Sequence, residues 1–132
     1  MLKKKTAFLF AGVVLMVLLF SGCYKTTTLV VNPGASITTE MSYSKDITPM
    51  FDKSCAIPGC HVSGGKAPDL TAAISYKSLS AGGYLKAGDP DNSTLYQWLS
   101  GKKSPVMPLG AGPNQEINAK VYAWIKQGAK NN

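Results

Sequence analysis

Apolar residues in the second two-thirds of the chain recur at the three- and four-residue intervals of amphipathic helices. One helix is predicted over residues 44–55, because Ile47, Phe51 and Cys55 stand four apart and share a face. The last predicted helix covers residues 115–127. Its apolar stripe consists of Ile117, Val121, Trp124 and Ile125. No segment alternates polar and apolar residues as a half-buried strand does, so the pattern predicts a small all-α domain.

Two shorter helices complete this prediction, over residues 72–79 and 94–99. Long stretches rich in glycine and proline separate the helices. Side chains that accept hydrogen bonds from free N–H groups mark the helix starts: Thr48 or Ser44 for the first helix and Asn114 for the last. About 90 residues with so much loop would form only a thin core of their own.

The first 22 residues have the composition of an export signal. Three lysines at positions 3–5 precede an apolar run of about 14 residues, shorter than the roughly 20 residues of a membrane-spanning helix. The run ends in Ser21-Gly22-Cys23, which resembles a bacterial lipobox, although an aliphatic residue is more usual than Phe20 at its position. This resemblance predicts lipidation of Cys23. An ordinary signal with a stray cysteine and a retained N-terminal anchor stay open.

The chain therefore divides into three predicted parts: a signal peptide at 1–22, the lipidated cysteine with a flexible tether at 23–42, and a folded domain at 43–132. The tether is rich in threonine, serine and valine and has no helical periodicity. We expect the domain to stand in the bacterial cell envelope, facing the periplasm or the exterior. The outer membrane is favoured, because Tyr24 and not aspartate follows the predicted lipidation site.

The charge of the chain argues against a nucleic-acid partner. Removal of the signal takes away three lysines and no acidic residue, so the formal charge falls from +7 to +4. The remaining lysines are mostly scattered and the sequence contains no arginine, the residue that most often contacts base edges and phosphates. A mildly basic surface would suit an acidic redox partner, or it is simply a solvated surface.

The chemistry of the chain concentrates in Cys55-Ala56-Ile57-Pro58-Gly59-Cys60-His61, where two cysteines precede the single histidine. This order is typical of covalent haem attachment, in which both thiols become thioethers and the adjacent imidazole binds the iron. The usual gap of two residues is four here, so a turn must bring the sulfurs back together. Pro58-Gly59 can supply that turn.

Two other uses of the cysteines remain open. In an exported protein a free pair oxidises, so Cys55 and Cys60 could form a short-loop disulfide. A disulfide alone, however, gives no reason for His61 to follow the second cysteine. Zinc is the weakest alternative, because two thiolates and one imidazole lack a fourth cysteine or histidine ligand.

Residues 43–129 resemble class I cytochrome c, a family of small all-α domains with long loops around one haem c. Phe51 stands where such proteins carry the aromatic residue of the N-terminal helix, and the helix around Trp124 resembles the C-terminal helix that crosses it. The resemblance implies that the carbonyl of Pro68 accepts a hydrogen bond from His61 Nδ1 and orients the ring. The departure from the family pattern is the four-residue gap in the haem motif.

A class I site also takes a methionine as its second axial ligand. Met107 is the predicted ligand, because it lies between two prolines, 46 residues beyond His61, in a Met-Pro pattern that resembles the family's. Its alternative role is an apolar filler over an open iron face. Met50 is expected in the core of the first helix, and Met41 in the tether.

These expectations combine into one functional hypothesis: a lipid-anchored monohaem electron carrier, not an enzyme, that serves redox partner proteins of an envelope respiratory chain. Iron held by histidine and methionine has no open position for oxygen or peroxide, so its chemistry is electron transfer. Two alternatives remain. An open iron site would make the protein a peroxidase or sensor, which the lack of a second histidine disfavours. A Cys55–Cys60 disulfide would make it a haem-free lipoprotein.

Overall fold

The computed structural model describes residues 33–132 of the chain. This part is helical, and no strand occurs in it, as the all-α prediction requires. The predicted signal peptide at 1–22, the predicted lipidation site Cys23 and the beginning of the predicted tether lie outside the described residues.

The described chain contains four α-helices and two short helical turns. Their bounds are a 3-10 turn at Pro33–Ser36, a π-helical turn at Tyr43–Ile47, α1 at Thr48–Ser54, α2 at Ser75–Ala81, α3 at Thr94–Leu99 and α4 at Gln115–Lys126. The π turn runs directly into α1, so the two form the first predicted helix. Helix α3 has the predicted bounds, whereas α2 begins three residues later than predicted.

The first helix begins at a cap that the sequence prediction missed. Ser42 Oγ accepts a hydrogen bond from the Lys45 N–H (3.3 Å), and the Asp46 carboxylate accepts one from the Ser42 N–H (2.8 Å). This reciprocal pair resembles a capping box, with the carboxylate one residue further along than usual, and it starts the helical chain at Tyr43. The predicted caps Thr48 and Ser44 are therefore wrong, because both positions already lie within the helical turns.

Helix α4 confirms the strongest pattern in the sequence. The Asn114 side chain caps it by accepting a hydrogen bond from the Ile117 N–H at 3.0 Å. The predicted stripe is buried at every position: Ile117, Val121, Trp124 and Ile125. An apolar stripe of this kind stabilises a short helix mainly through the core it packs against.

The core lies where α4 meets the first helix. Phe51 and Trp124 are almost fully buried, and Tyr43 contacts both rings, with centroid distances of 6.4 Å and 5.1 Å. Because a buried hydroxyl needs a partner, the Tyr43 O–H donates to Ser75 Oγ at 2.6 Å on α2. The same burial raises the pKa of Tyr43 above its ordinary value.

Residues 33–42, here called the N-terminal strap, pack on α4 and are part of the fold. The sequence placed them in the flexible tether. Gly34 is buried against α4, and a Cβ atom there would clash with the Ala119 carbonyl and lie 2.7 Å from Tyr122 Cβ. Met41, expected in the tether, is only 7% exposed and belongs to the core.

The side chain of Gln127 fastens the strap to the end of α4. Its amide oxygen accepts from the Met41 N–H at 2.7 Å, and its amide nitrogen donates to the carbonyl of Thr39 at 2.9 Å. An exposed ion pair, Lys130 to Glu40 at 2.7 Å, lies on the same side. The packed part of the chain thus begins at least ten residues before the predicted boundary at Tyr43.

Candidate functional site

The candidate site is the cysteine–histidine loop, residues 55–70, which follows α1. Helix α1 delivers Cys55 directly to the core: the Cys55 N–H donates to the Phe51 carbonyl at 2.8 Å, and the residue is 9% exposed. Cys60 and His61 are only partly buried, because the chain turns outward after α1. The loop therefore has one sulfur in the core and an imidazole near the surface.

The four residues between the cysteines fold into a compact turn. The Cys60 N–H donates to the Ile57 carbonyl at 2.9 Å, and Gly59 has a φ of 81°, in the left-handed region that glycine adopts without strain. The turn returns the chain to its start, since the His61 N–H donates to the Cys55 carbonyl at 3.1 Å. The four residues between the cysteines therefore form a turn that includes Pro58 and Gly59, as predicted.

The hydrogen bond expected between His61 and Pro68 is present. His61 Nδ1 lies 3.0 Å from the Pro68 carbonyl oxygen and 3.1 Å from the Lys66 carbonyl oxygen. Both partners are acceptors only, so Nδ1 must carry the proton. In the neutral ring Nε2 then has a free lone pair, and no residue of the described chain hydrogen-bonds to it.

Main-chain and carboxylate hydrogen bonds hold the rest of the loop around His61. The Leu70 N–H donates to the His61 carbonyl at 2.8 Å. The Asp69 carboxylate accepts from Ser63 Oγ (2.6 Å), Thr71 Oγ1 (2.6 Å) and the Thr71 N–H (2.9 Å). These bonds, that from Ser63 foremost, hold the pKa of Asp69 below its ordinary value.

The state of the two sulfurs bears on the alternatives. Neither cysteine is disulfide-bonded. Burial first, and like-charge repulsion from the Cys60 thiol second, raise the pKa of the Cys55 thiol to about 11. No three histidine, cysteine, aspartate or glutamate side chains of residues 33–132 lie together as metal ligands would. The cysteine–histidine loop therefore holds two free thiols, of which Cys55 is the more deeply buried.

Met107 lies in a separate loop, between α3 and α4. Its N–H donates to the Trp98 carbonyl at 3.1 Å, and its side chain is half-buried against the edge of the core. No hydrogen bond between residues of the described chain joins this loop to the cysteine–histidine loop. Met50, expected in the core of the first helix, is only half-buried and packs against the core from outside.

The aromatic residues divide into core and surface groups. Tyr43, Tyr76 and Trp124 pack together, and Tyr96 is buried against Tyr122 at a centroid distance of 5.3 Å. Trp98 is only half-buried, and Lys103 Nζ lies 5.9 Å from its ring. The structure therefore assigns most of these rings to ordinary packing.

The donor set of the loop fits haem c. Two thiols flank a compact turn, and the adjacent imidazole has Nδ1 protonated by its backbone partners, which leaves Nε2 free for iron. The Lys66 carbonyl is the contact that sequence reasoning missed. Its only sequence signal is the Gly64-Gly65 pair, which permits a tight return of the chain.

The chain matches no protein-family model, and neither the curated proteins nor the solved structures contain a match to it. Within residues 33–132, no helix has both the length and the apolar character that crossing a bilayer requires.

Proposed function

We propose that the protein is a monohaem c-type cytochrome, which carries single electrons between redox partners of the cell envelope. The observation that carries the proposal is the tautomer of His61 and the hydrogen bond that fixes its ring. Its Nδ1 is held by the Pro68 carbonyl at 3.0 Å, directly after a cysteine pair whose gap folds into a turn. A histidine fixed in this tautomer presents a lone pair on Nε2, which is what an iron ligand requires.

Four residues would hold the haem. Cys55 and Cys60 would carry the thioether bonds, His61 Nε2 would bind the iron, and Met107 would supply a second iron ligand from its own loop. Bound haem supplies reversible one-electron chemistry between Fe(II) and Fe(III). The role of the protein is then to keep these ligands in place in both oxidation states.

The surrounding residues support such a role. The Pro68 carbonyl fixes the orientation of the imidazole and makes it a more basic ligand. The buried side chains next to Cys55, Phe51 among them, keep water away from that side of the site. An apolar environment and a thioether ligand both favour the reduced iron and raise its potential.

The proposal includes a place in the cell. Lipidation at Cys23 would attach the domain to a membrane, with the outer membrane favoured, and would leave the domain in the periplasm or outside the cell. The partners would be envelope redox proteins, and the lysine-only basic surface suits acidic ones.

The test is expression with cytochrome maturation machinery, followed by acid–acetone extraction and a spectrum of the reduced protein in pyridine. We expect a haem c spectrum that survives extraction. The matched variants Cys55→Ser and Cys60→Ser should each change the spectrum towards that of haem with one free vinyl group, and the double variant should lose its haem on extraction. Absence of extraction-resistant haem in the wild type would refute the proposal and favour the disulfide-linked lipoprotein.

Met107→Ala tests the second ligand. We expect the variant to lose the sulfur-to-iron charge-transfer band of the oxidised protein and to bind carbon monoxide when reduced. Met50→Ala is the control, because Met50 is a half-buried methionine on α1. Carbon monoxide binding by the reduced wild type would instead indicate an open iron site, as in a peroxidase or a sensor.

A further inference from the structure

His61 has two carbonyl partners, Pro68 and Lys66, and the backbone fold of the loop places the second one against the ring. Nδ1 lies 3.0 Å from the oxygen of the buried Pro68 and 3.1 Å from that of the exposed Lys66. The two distances are nearly equal, so one N–H is shared between two acceptors, a three-centre hydrogen bond. The Pro68 partner follows from the family resemblance, whereas the Lys66 partner does not.

The backbone of residues 60–66 places the Lys66 carbonyl there. The Lys66 N–H donates to the Cys60 carbonyl at 2.9 Å, and the Gly65 N–H donates to the Val62 carbonyl at 2.8 Å. These two bonds fold the chain tightly back over the second cysteine. The Lys66 peptide is thereby brought against the imidazole of His61.

Gly65 is the residue that permits this return. A Cβ atom at position 65 would clash with the Cys60 carbonyl oxygen and would lie 3.0 Å from the Val62 carbonyl oxygen. Both obstacles are backbone atoms, which cannot rotate away as a side chain can. The neighbouring Gly64 differs: its φ is +78°, but a Cβ atom there would meet nothing within 4 Å.

We infer that Gly65 and the Lys66 carbonyl form a second positioning device for His61, which shares its Nδ1 proton with Pro68. Two acceptors hold the ring against rotation better than one, and they draw the Nδ1 proton further from the ring. A more basic imidazole stabilises Fe(III), so the second acceptor would lower the potential of a bound haem. The effect on potential rests on the proposed function, whereas the shared proton does not.

The test is an NMR measurement of the His61 Nδ1 proton, assigned without ambiguity because the chain has one histidine. It uses the reduced, diamagnetic holoprotein if haem attaches, and the haem-free protein with reduced thiols if it does not. In the wild type we expect a strongly deshielded Nδ1 proton that couples through hydrogen bonds to the carbonyl carbons of both Lys66 and Pro68. Coupling to Pro68 alone, or a proton on Nε2 in the haem-free form, would overturn the inference.

Gly65→Ala and Gly64→Ala form the matched pair of variants. Gly65→Ala should move the Nδ1 proton to higher field, speed its exchange with solvent and abolish the coupling to Lys66. Gly64→Ala should leave all three unchanged, because it strains the loop without meeting the Cys60 carbonyl. Equal effects of the two variants would show general loop strain and refute the positioning role. If Gly65→Ala does not fold, the couplings from the His61 Nδ1 proton to Lys66 and Pro68 in the wild type are the test of the inference.

In the holoprotein, Gly65→Ala should also raise the ratio of reduced to oxidised haem about threefold at a fixed applied potential. A threefold change corresponds to part of the net free energy of one hydrogen bond. If the ratio is unchanged although the coupling to Lys66 is lost, the effect on the potential is refuted, but the sharing of the Nδ1 proton between Lys66 and Pro68 stands. If the haem test fails but both couplings are present, the proposed function fails and the two-acceptor contact stands.

Discussion

Single side chains decide the shape of the cysteine–histidine loop, and Asp69 does so most directly. Its carboxylate joins Ser63, early in the loop, to Thr71, just after it, and its own N–H donates to Ser78 Oγ on α2 at 2.9 Å. The residue follows Pro68, whose carbonyl accepts from His61. Asp69 thus connects the histidine partner to the helical part of the fold.

Asp69 should make stability depend on pH. Its pKa is lowered by the Ser63 and Thr71 hydrogen bonds, so its stabilising effect is present above the unfolded-state pKa of about 3.9 and is lost as the pH falls through the folded-state value. We expect Asp69→Asn to lower the free energy of unfolding at pH 7, and the difference from wild type to shrink towards pH 3. Denaturant unfolding between pH 7 and pH 3 measures this difference in the free energy of unfolding. Asp52→Asn is the control; a constant difference for Asp69→Asn would contradict the prediction.

At the scale of elements, α4 organises the molecule. Its buried stripe packs on the first helix, its N-terminus is capped by Asn114, and its last residues contact the N-terminal strap through Gln127. The Trp124 indole N–H donates to the Lys130 carbonyl at 2.9 Å, which ties the chain beyond the helix to the core. Both ends of the helix are therefore fixed by side-chain hydrogen bonds.

Asn114→Ala should destabilise the fold by about 1 kcal/mol, because the Ile117 N–H would lose its only side-chain acceptor at the helix start. For a domain of this size that corresponds to a fall of roughly 4–8 °C in Tm, which calorimetry can measure. Asn114→Asp retains an acceptor oxygen and should stay close to wild type. An equal loss in both variants would mean that the cap is not the cause.

At the scale of the whole molecule, the last described residue, Asn132, returns to the start of the first helix. The strap lies on α4, and Asn132 accepts through its Oδ1 from the Tyr43 N–H (2.9 Å) and through its backbone oxygen from the Ser44 N–H (2.9 Å). The start of the first helix is thus held by the end of the chain. These contacts close the fold around the core.

Gly34→Val should release the strap, because any Cβ at this position clashes with the backbone of α4. Overpacking of this kind costs roughly 1–3 kcal/mol. We expect faster hydrogen exchange at the Met41 N–H, whose acceptor is Gln127, while amides of the α4 core keep their protection. Ala35→Val, at an exposed position of the same 3-10 turn, is the control. Unchanged exchange in Gly34→Val would contradict a docked strap.

The features that could be predicted from the sequence are those that depend on residues close together in the chain. The stripe and cap of α4 depend on residues within a few positions of each other, and the sequence predicted both. The strap escaped prediction because half of its residues are polar and its main partner, Gln127, lies 86 positions beyond Met41. The Lys66 carbonyl escaped because the acceptor is a backbone atom, which no side-chain pattern reveals.

The docked strap would limit how far the domain could extend from a membrane to which a lipid on Cys23 attached it. If Cys23 carries the lipid, only about ten residues separate it from Pro33, and a chain of that length spans at most about 35 Å. This is close to the width of a domain of 100 residues, whose radius of gyration is about 13 Å. A domain anchored in this way would stay within about one domain width of the bilayer, so it would meet its partners close to the membrane surface.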